Sequence, residues 1–281
     1  KLIEKYSPKL IVIMVHGHNP TGSTENMPAA IKIVNDLKKH NKDIQIAIGG
    51  GHVSALPKRT LEECEADYSI QGEGLYTIKG LHDYLNGKLS IKKIPGLWYR
   101  SNDDIVKTFP AENVRNLDKD MSNYAFDLLP GLENYRTSEV HCLQKFEESK
   151  DENNGFNDVR SPYVAIYTTL GCPYQCHFCM TNGIFGGQGS RGWSANSVLG
   201  WIDELYNTYK VKNIRLDDEL FVLDNSRVNE ICDGLIERNY DLNIYGYTAL
   251  NSTRVKLLEK MYKGGFRWLS VGVEAGNEAV R

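Results

Sequence analysis

The feature that most constrains this chain is a repeating order: a short apolar run, a glycine-bearing or polar loop, then helical periodicity. LIVIMV, Leu10 to Val15, is the continuous apolar run of a strand buried on both faces. It stops at the polar stretch HGHNPTGST, which reads as a loop. Helical spacing follows over Asn26 to His40, with Ile31, Ile33, Val34 and Leu37 on one side. IQIAI, Ile44 to Ile48, is the next strand and runs into Gly49, Gly50, Gly51 and His52. A short helix near Lys58 to Glu65, a strand at Tyr68 to Ile70 and a helix opened by Gln71 to Gly74 complete the series. This alternation predicts a parallel open sheet.

The pattern then changes. Gly96 to Thr108 reads as a hairpin with a polar turn at Ser101 to Asp104. Residues 109–160 lack clear periodicity and read as a linker or wrapping segment. A second β/α series begins near Tyr163, with further strands at Asn213 to Leu216, Asn243 to Tyr247 and Trp268 to Val273. Ser194 is the expected N-cap of the first helix of this series. The expected fold class is α/β: a doubly wound, Rossmann-like domain over 1–108, the linker over 109–160, and the first four units of a partial (β/α) barrel over 161–281. Both ends read as cut, since the chain starts at Lys1 and stops where the next helix should begin.

Composition excludes some functions. A formal net charge of −3 gives no sign of a nucleic-acid partner or an anionic membrane surface. No apolar run approaches a membrane span, and no signal-peptide pattern opens the chain, so the cytoplasm is the expected location. Of six cysteines, Cys172, Cys176 and Cys179 fall close together, while Cys64, Cys142 and Cys232 are scattered and read as packing residues. A local cluster in a long chain reads as metal binding in a reducing compartment rather than a disulfide framework.

The cluster reads GCPYQCHFC, a C-x3-C-x2-C spacing directly after a strand. Three thiolates on one short loop can bind three corners of an iron–sulfur cubane and leave one iron without a protein ligand. A structural zinc site is the alternative, with His177 as fourth ligand. His177 sits between two cysteines, however, and zinc ribbons use two separated pairs.

The motif resembles that of the radical S-adenosylmethionine (SAM) superfamily, C-x3-C-x-aromatic-C, with Phe178 in the aromatic place. The resemblance implies a [4Fe-4S] cluster on Cys172, Cys176 and Cys179. The amino and carboxylate groups of SAM would bind the open iron, and one electron would break the S–C5′ bond to give a 5′-deoxyadenosyl radical. LDDELF, Leu216 to Phe221, resembles the D-D-x-x-F segment of cobalamin-linked members, which makes Asp217 and Asp218 candidate SAM contacts, with Glu219 behind them. GVEAG, Gly272 to Gly276, resembles their G-(V/I)-E-S-G segment and adds Glu274. Arg191 reads as a surface charge.

The first series resembles the cobalamin-binding domain fused to many radical SAM enzymes, through GGGHVSALP, ADYSIQGEG and GLWYR. That resemblance implies cobalamin contacts at Ser23, Thr24, Gly50, Gly51, His52, Gly72, Glu73 and Gly74. The D-x-H-x-x-G motif is absent from the chain, which fits a corrin without a lower histidine ligand. His16, His18 and His52 read as loop histidines. No G-x-G-x-x-G fingerprint occurs, so NAD is disfavoured.

Together the resemblances imply a cobalamin-dependent radical SAM methyltransferase acting on an unactivated carbon or phosphorus centre. The substrate would be a small, natural-product-like molecule, and flavodoxin or ferredoxin would donate electrons. A ring-forming or rearranging radical SAM enzyme is the second reading, and a structural metal-binding or redox-sensing module the third.

Overall fold

The structure is a computed structural model that describes residues 2–16, 20–102, 104–136, 162–177, 179–186, 189–273 and 275–277. Elements run α1 (Leu2–Tyr6), β1 (Leu10–Val15), α2 (Pro20–Glu25), α3 (Met27–His40), β2 (Gln45–Gly50), α4 (Gly51–Ala55), α5 (Pro57–Glu63), β3 (Tyr68–Ile70), α6 (Leu75–Leu85), β4 (Leu97–Ser101), β5 (Asp104–Lys107) and α7 (Leu117–Asp120). They continue with β6 (Tyr163–Ile166), β7 (Thr169–Leu170), α8 (Thr181–Phe185), β8 (Arg191–Gly192), α9 (Ala195–Asn207), β9 (Asn213–Leu216), α10 (Asn225–Arg238), β10 (Asn243–Ala249), α11 (Val255–Lys263) and β11 (Phe266–Gly272).

The α/β class is as expected, with parallel strands in both large sheets. The first sheet has order β1-β2-β3-β4-β5. Its first three strands pair in parallel, and the β4–β5 hairpin adds in antiparallel fashion. Its core joins Ile46, Ile48, Val34, Val53 and Leu61, all fully buried. Lys38 of α3 is drawn into this core because its ammonium meets Asp67 at 2.7 Å and donates to the Ile44 carbonyl at 2.7 Å. A buried charge persists only when paired in this way.

The stretch after β1, read as a loop, carries α2 over Pro20–Glu25. Proline at the first helical position needs no N–H partner and has its φ already set, so it starts a helix rather than breaking one. The segment after the hairpin also has local structure. Asn116 caps α7 by accepting the Lys119 N–H, and 3-10 turns follow at Phe126–Leu128 and Leu132–Asn134. Tyr124 of this segment meets Trp201 of α9 edge-on at 5.0 Å, so it wraps rather than dangles. Cys142 lies outside the described residues.

The second large sheet has order β11-β10-β9-β6, every pair parallel. Strand neighbours in chain order are how a (β/α) barrel begins. Side-chain alternation sorts β9 and β10 into two faces. Ile214, Leu216 and Ile244 form an apolar one, while Asn213, Arg215, Asn243 and Tyr245 form a polar one, and all are buried. The helices add their own buried stripes, such as Val198, Ile202 and Leu205 of α9 and Val228, Ile231 and Leu235 of α10.

The chain forms two compact units, Lys1–Arg115 with Gly171–Gly189, and Asn116–Leu170 with Ser190–Arg281. The cysteine loop follows a strand of the second series in sequence but folds with the first unit. None of the described helices is long and apolar enough to cross a membrane.

Candidate functional site

The cysteine loop starts one residue beyond β7. Cys172 and Cys179 are half-buried and Cys176 is exposed. A turn brings the Cys179 N–H to the Cys176 carbonyl at 3.0 Å. The Cys179 thiol donates to Thr181 Oγ1 at 3.2 Å, and Asn182 donates to the Tyr174 carbonyl at 2.9 Å. These bonds tie the loop to α8. His177 is exposed. Phe178 lies outside the described residues. Among the described residues, no three His, Cys, Asp or Glu side chains converge on a point that could hold a metal ion. Burial pushes the Cys232 thiol up to about 12 and raises that of Cys64, which leaves both as inert packing residues.

The loop rests on the carboxyl end of the first sheet. A Cβ at Gly51 would lie 2.9 Å from Ser23 Oγ, 3.3 Å from Met180 Sδ and 3.4 Å from Ile184 Cδ1. Close approach of α2 and α8 to the β2–α4 turn thus leaves little room for a side chain at Gly51. Gly50 has φ +120, and a Cβ would sit 2.2 Å from the Val15 carbonyl oxygen. Around this turn the His52 N–H donates to Ser23 Oγ at 2.9 Å, and Thr24 Oγ1 shares a hydrogen bond with His52 Nδ1 at 3.1 Å. The Gly72 N–H donates to Ser54 Oγ at 3.1 Å. Ser23, Thr24, Gly50, Gly51, His52 and Gly72 therefore lie together at one sheet end. Gly74 caps α6 instead, in the left-handed region. Glu73 accepts the Val114 N–H at 2.9 Å. His16 keeps to its loop role, its carbonyl accepting from Asn26, and His18 lies outside the described residues.

In the second unit the two aspartates after β9 have different surroundings. Asp218 is 1 % exposed. It accepts the Thr168 N–H, the Thr168 hydroxyl at 2.5 Å and the Thr169 N–H at 3.0 Å. Burial raises its carboxyl above the usual range, against the pull of those donors. Asp217 instead faces Arg215, with Nε to Oδ1 at 2.6 Å. The guanidinium also donates to the Tyr247 hydroxyl at 2.6 Å and lies 5.6 Å from the centroid of the Tyr245 ring. Glu219 is half-buried, and Glu274 lies outside the described residues. Arg191 is half-buried in β8 rather than a free surface charge. Ser194 caps α9 and bonds Asp118 as well.

The sequence reading missed Arg215, Tyr247 and Thr168. Arg215 had a usable signal, since it stands two residues before Asp217 on a strand and so shares its face. Thr168 had none, because its partner lies 50 residues away.

Fold and cysteine loop together define an arrangement: an open α/β domain, then a parallel β/α series, with a C-x3-C-x2-C loop between them in sequence. Residues 1–82 match the family model of the B12 binding domain. An uncharacterized methyltransferase of Pyrococcus horikoshii is 26% identical over 281 residues, covering 100% of this chain and 54% of the relative. The anaerobic magnesium-protoporphyrin IX monomethyl ester cyclase of Synechocystis sp. is 24% identical, over 98% of this chain and 50% of the relative. The chain thus spans about half the length of these curated relatives. Among solved structures, the radical SAM methyltransferase TsrM from Kitasatospora setae, with tryptophan substrate and a SAM analogue, superposes with a TM-score of 0.71 at 16% identity, over 99% of this chain and 51% of that one. The same protein with cobalamin and a [4Fe-4S] cluster bound gives 0.68 at 16% identity, over 96% of this chain and 50% of that one.

Proposed function

We propose that this chain is the cofactor-binding part of a cobalamin-dependent radical SAM methyltransferase that acts on an unactivated carbon or phosphorus centre of a small molecule. One observation carries the reading: a segment matching the B12 binding family precedes, in one chain, a C-x3-C-x2-C loop and a parallel β/α series.

The donor sets fit these groups. Three thiols on one loop, with the other described cysteines buried elsewhere, match a [4Fe-4S] cluster with one open iron. Cys172, Cys176 and Cys179 would hold it. Thr24 and the ring of His52 lie at the sheet end, with the buried hydroxyls of Ser23 and Ser54 holding the backbone at His52 and Gly72, a polar set suited to the amide-bearing edge of a corrin. When bound, these cofactors would supply one-electron reduction of SAM and a carrier for its methyl group.

The chain's own residues bind and orient. Asp217, held by Arg215, would offer a carboxylate to the SAM amine, and by the resemblance Phe178 and Glu274 would be further SAM contacts. Asp218 is a positioning residue: it holds the backbone at Thr168 and Thr169, three residues before Cys172. Electrons would come from a small redox protein such as flavodoxin or ferredoxin, in the cytoplasm.

The likeness to a cyclase favours a second reading, a radical SAM enzyme that forms a ring and methylates nothing. Anaerobic reconstitution with iron, sulfide and cobalamin, followed by reduction with methyl-labelled SAM, separates the two. Methylation moves label to cobalamin or product. Cyclisation gives 5′-deoxyadenosine without label transfer. A chain that binds zinc, or a cluster that never cleaves SAM, overturns both. Changing Cys172, Cys176 or Cys179 to alanine should each abolish cluster uptake, while C64A and C232A retain it.

A further inference from the structure

We propose that Glu73 is a positioning residue for the cysteine loop, acting through Val114 and Asn113, rather than a corrin contact. This rests on the reading that the loop holds the cluster.

The chain of contacts lies within the first unit. Glu73 Oε2 accepts the N–H of Val114, whose side chain is fully buried. The adjacent Asn113 donates its amide to the Phe185 carbonyl. Phe185 ends α8, and Gly186 caps it in the left-handed conformation with Asn113 Nδ2 alongside. At the other end of α8, Thr181 is 3 % exposed and accepts the Cys179 thiol.

A helix of five residues cannot hold itself, because nucleation costs more than one turn of hydrogen bonds returns. Its last carbonyls also lack helical partners and need outside donors. Asn113 is such a donor, and Glu73 fixes the backbone that carries it. The carboxylate of the Gln71–Gly74 loop thereby sets where α8 ends, and α8 sets where Cys179 sits.

Losing one hydrogen bond of about 1 kcal/mol should raise the open population of the loop about fivefold. Three measurements on the 281-residue chain test this: iron release to a chelator after anaerobic reconstitution, maleimide alkylation of Cys179 in the cluster-free protein, and equilibrium binding of hydroxocobalamin. E73A and N113A should each speed iron release and alkylation about fivefold and leave cobalamin affinity unchanged. E73Q keeps an accepting oxygen and should restore wild-type rates. Wild-type rates in E73A with weakened cobalamin binding would make Glu73 a corrin contact and overturn the proposal. So would an N113A chain with wild-type alkylation, and this variant decides alone if E73A fails to fold. A wild-type chain that takes up no cluster sinks the proposed function, while alkylation still decides the role of Glu73.

Discussion

The carboxylate of Asp218 accepts both the backbone N–H and the hydroxyl of Thr168, the hydroxyl at 2.5 Å, across 50 residues of sequence. Arg227 completes the clasp by donating to the Thr168 carbonyl at 2.8 Å. The segment that leads to the cysteine loop is thus anchored by a buried carboxyl group just beyond β9. D218A orphans buried donors at Thr168 and Thr169, so it should cost roughly 3 kcal/mol or more. D218N keeps the shape but turns one acceptor into a donor, and should lose less. Urea midpoints at neutral pH check the order, and wild-type stability in D218A would refute it.

Arg215 and Asp217 are a buried pair, with side chains 6% and 14% exposed. Removing only the cation strands a carboxylate inside the second unit. R215M should therefore destabilise by about 3–5 kcal/mol, while R215M/D217L should recover most of that. A double-mutant cycle by chemical unfolding measures the coupling. Additive effects of the two changes would show that the pair is not a unit.

Gly50 separates two explanations of one residue. A side chain there would meet the Val15 carbonyl oxygen and demand φ +120, which L residues rarely adopt. G50A should therefore lower the melting temperature of the cofactor-free chain, by several degrees for a cost of about 1–3 kcal/mol. An unchanged melting temperature with weakened cobalamin binding would instead make Gly50 a ligand contact alone.

Asp203 links α9 to α10. It accepts from Arg238 Nε at 2.6 Å and Nη2 at 2.9 Å, and from the Tyr240 hydroxyl at 3.0 Å. The Arg238 hydrogen bonds hold its carboxyl below the ordinary 3.8, against burial. Its stabilising contribution is therefore full above that value and fades as pH falls through the lowered one. The stability gap between wild type and D203N should close between about pH 5 and pH 2 in urea titrations. A gap that stays constant over this range would exclude the linkage.

Much of this protein is legible in local patterns alone. The apolar run at Leu10–Val15 and the alternating Asn213–Leu216 are strands, and Ser194 is a cap, because side-chain alternation and capping chemistry act over a few residues. The expected burial of Leu10–Val15 on both faces is not met: this strand is the edge of its sheet and mostly half-buried. Pro20 is less legible, because its helix-starting role depends on where the helix begins.

The sequence by itself determined the β/α order, the spacing of Cys172, Cys176 and Cys179, and the glycines and hydroxyls that meet at the first sheet end. Only the tertiary structure decided that the cysteine loop folds with the first unit, that Asp218 is buried in backbone bonds while Asp217 is held by Arg215, and that Glu73 reaches Val114. The reason is distance along the chain. Periodicity, caps and ligand spacing are set by near neighbours, whereas these contacts join distant segments, and most appear only when two packed layers bring them within hydrogen-bond reach.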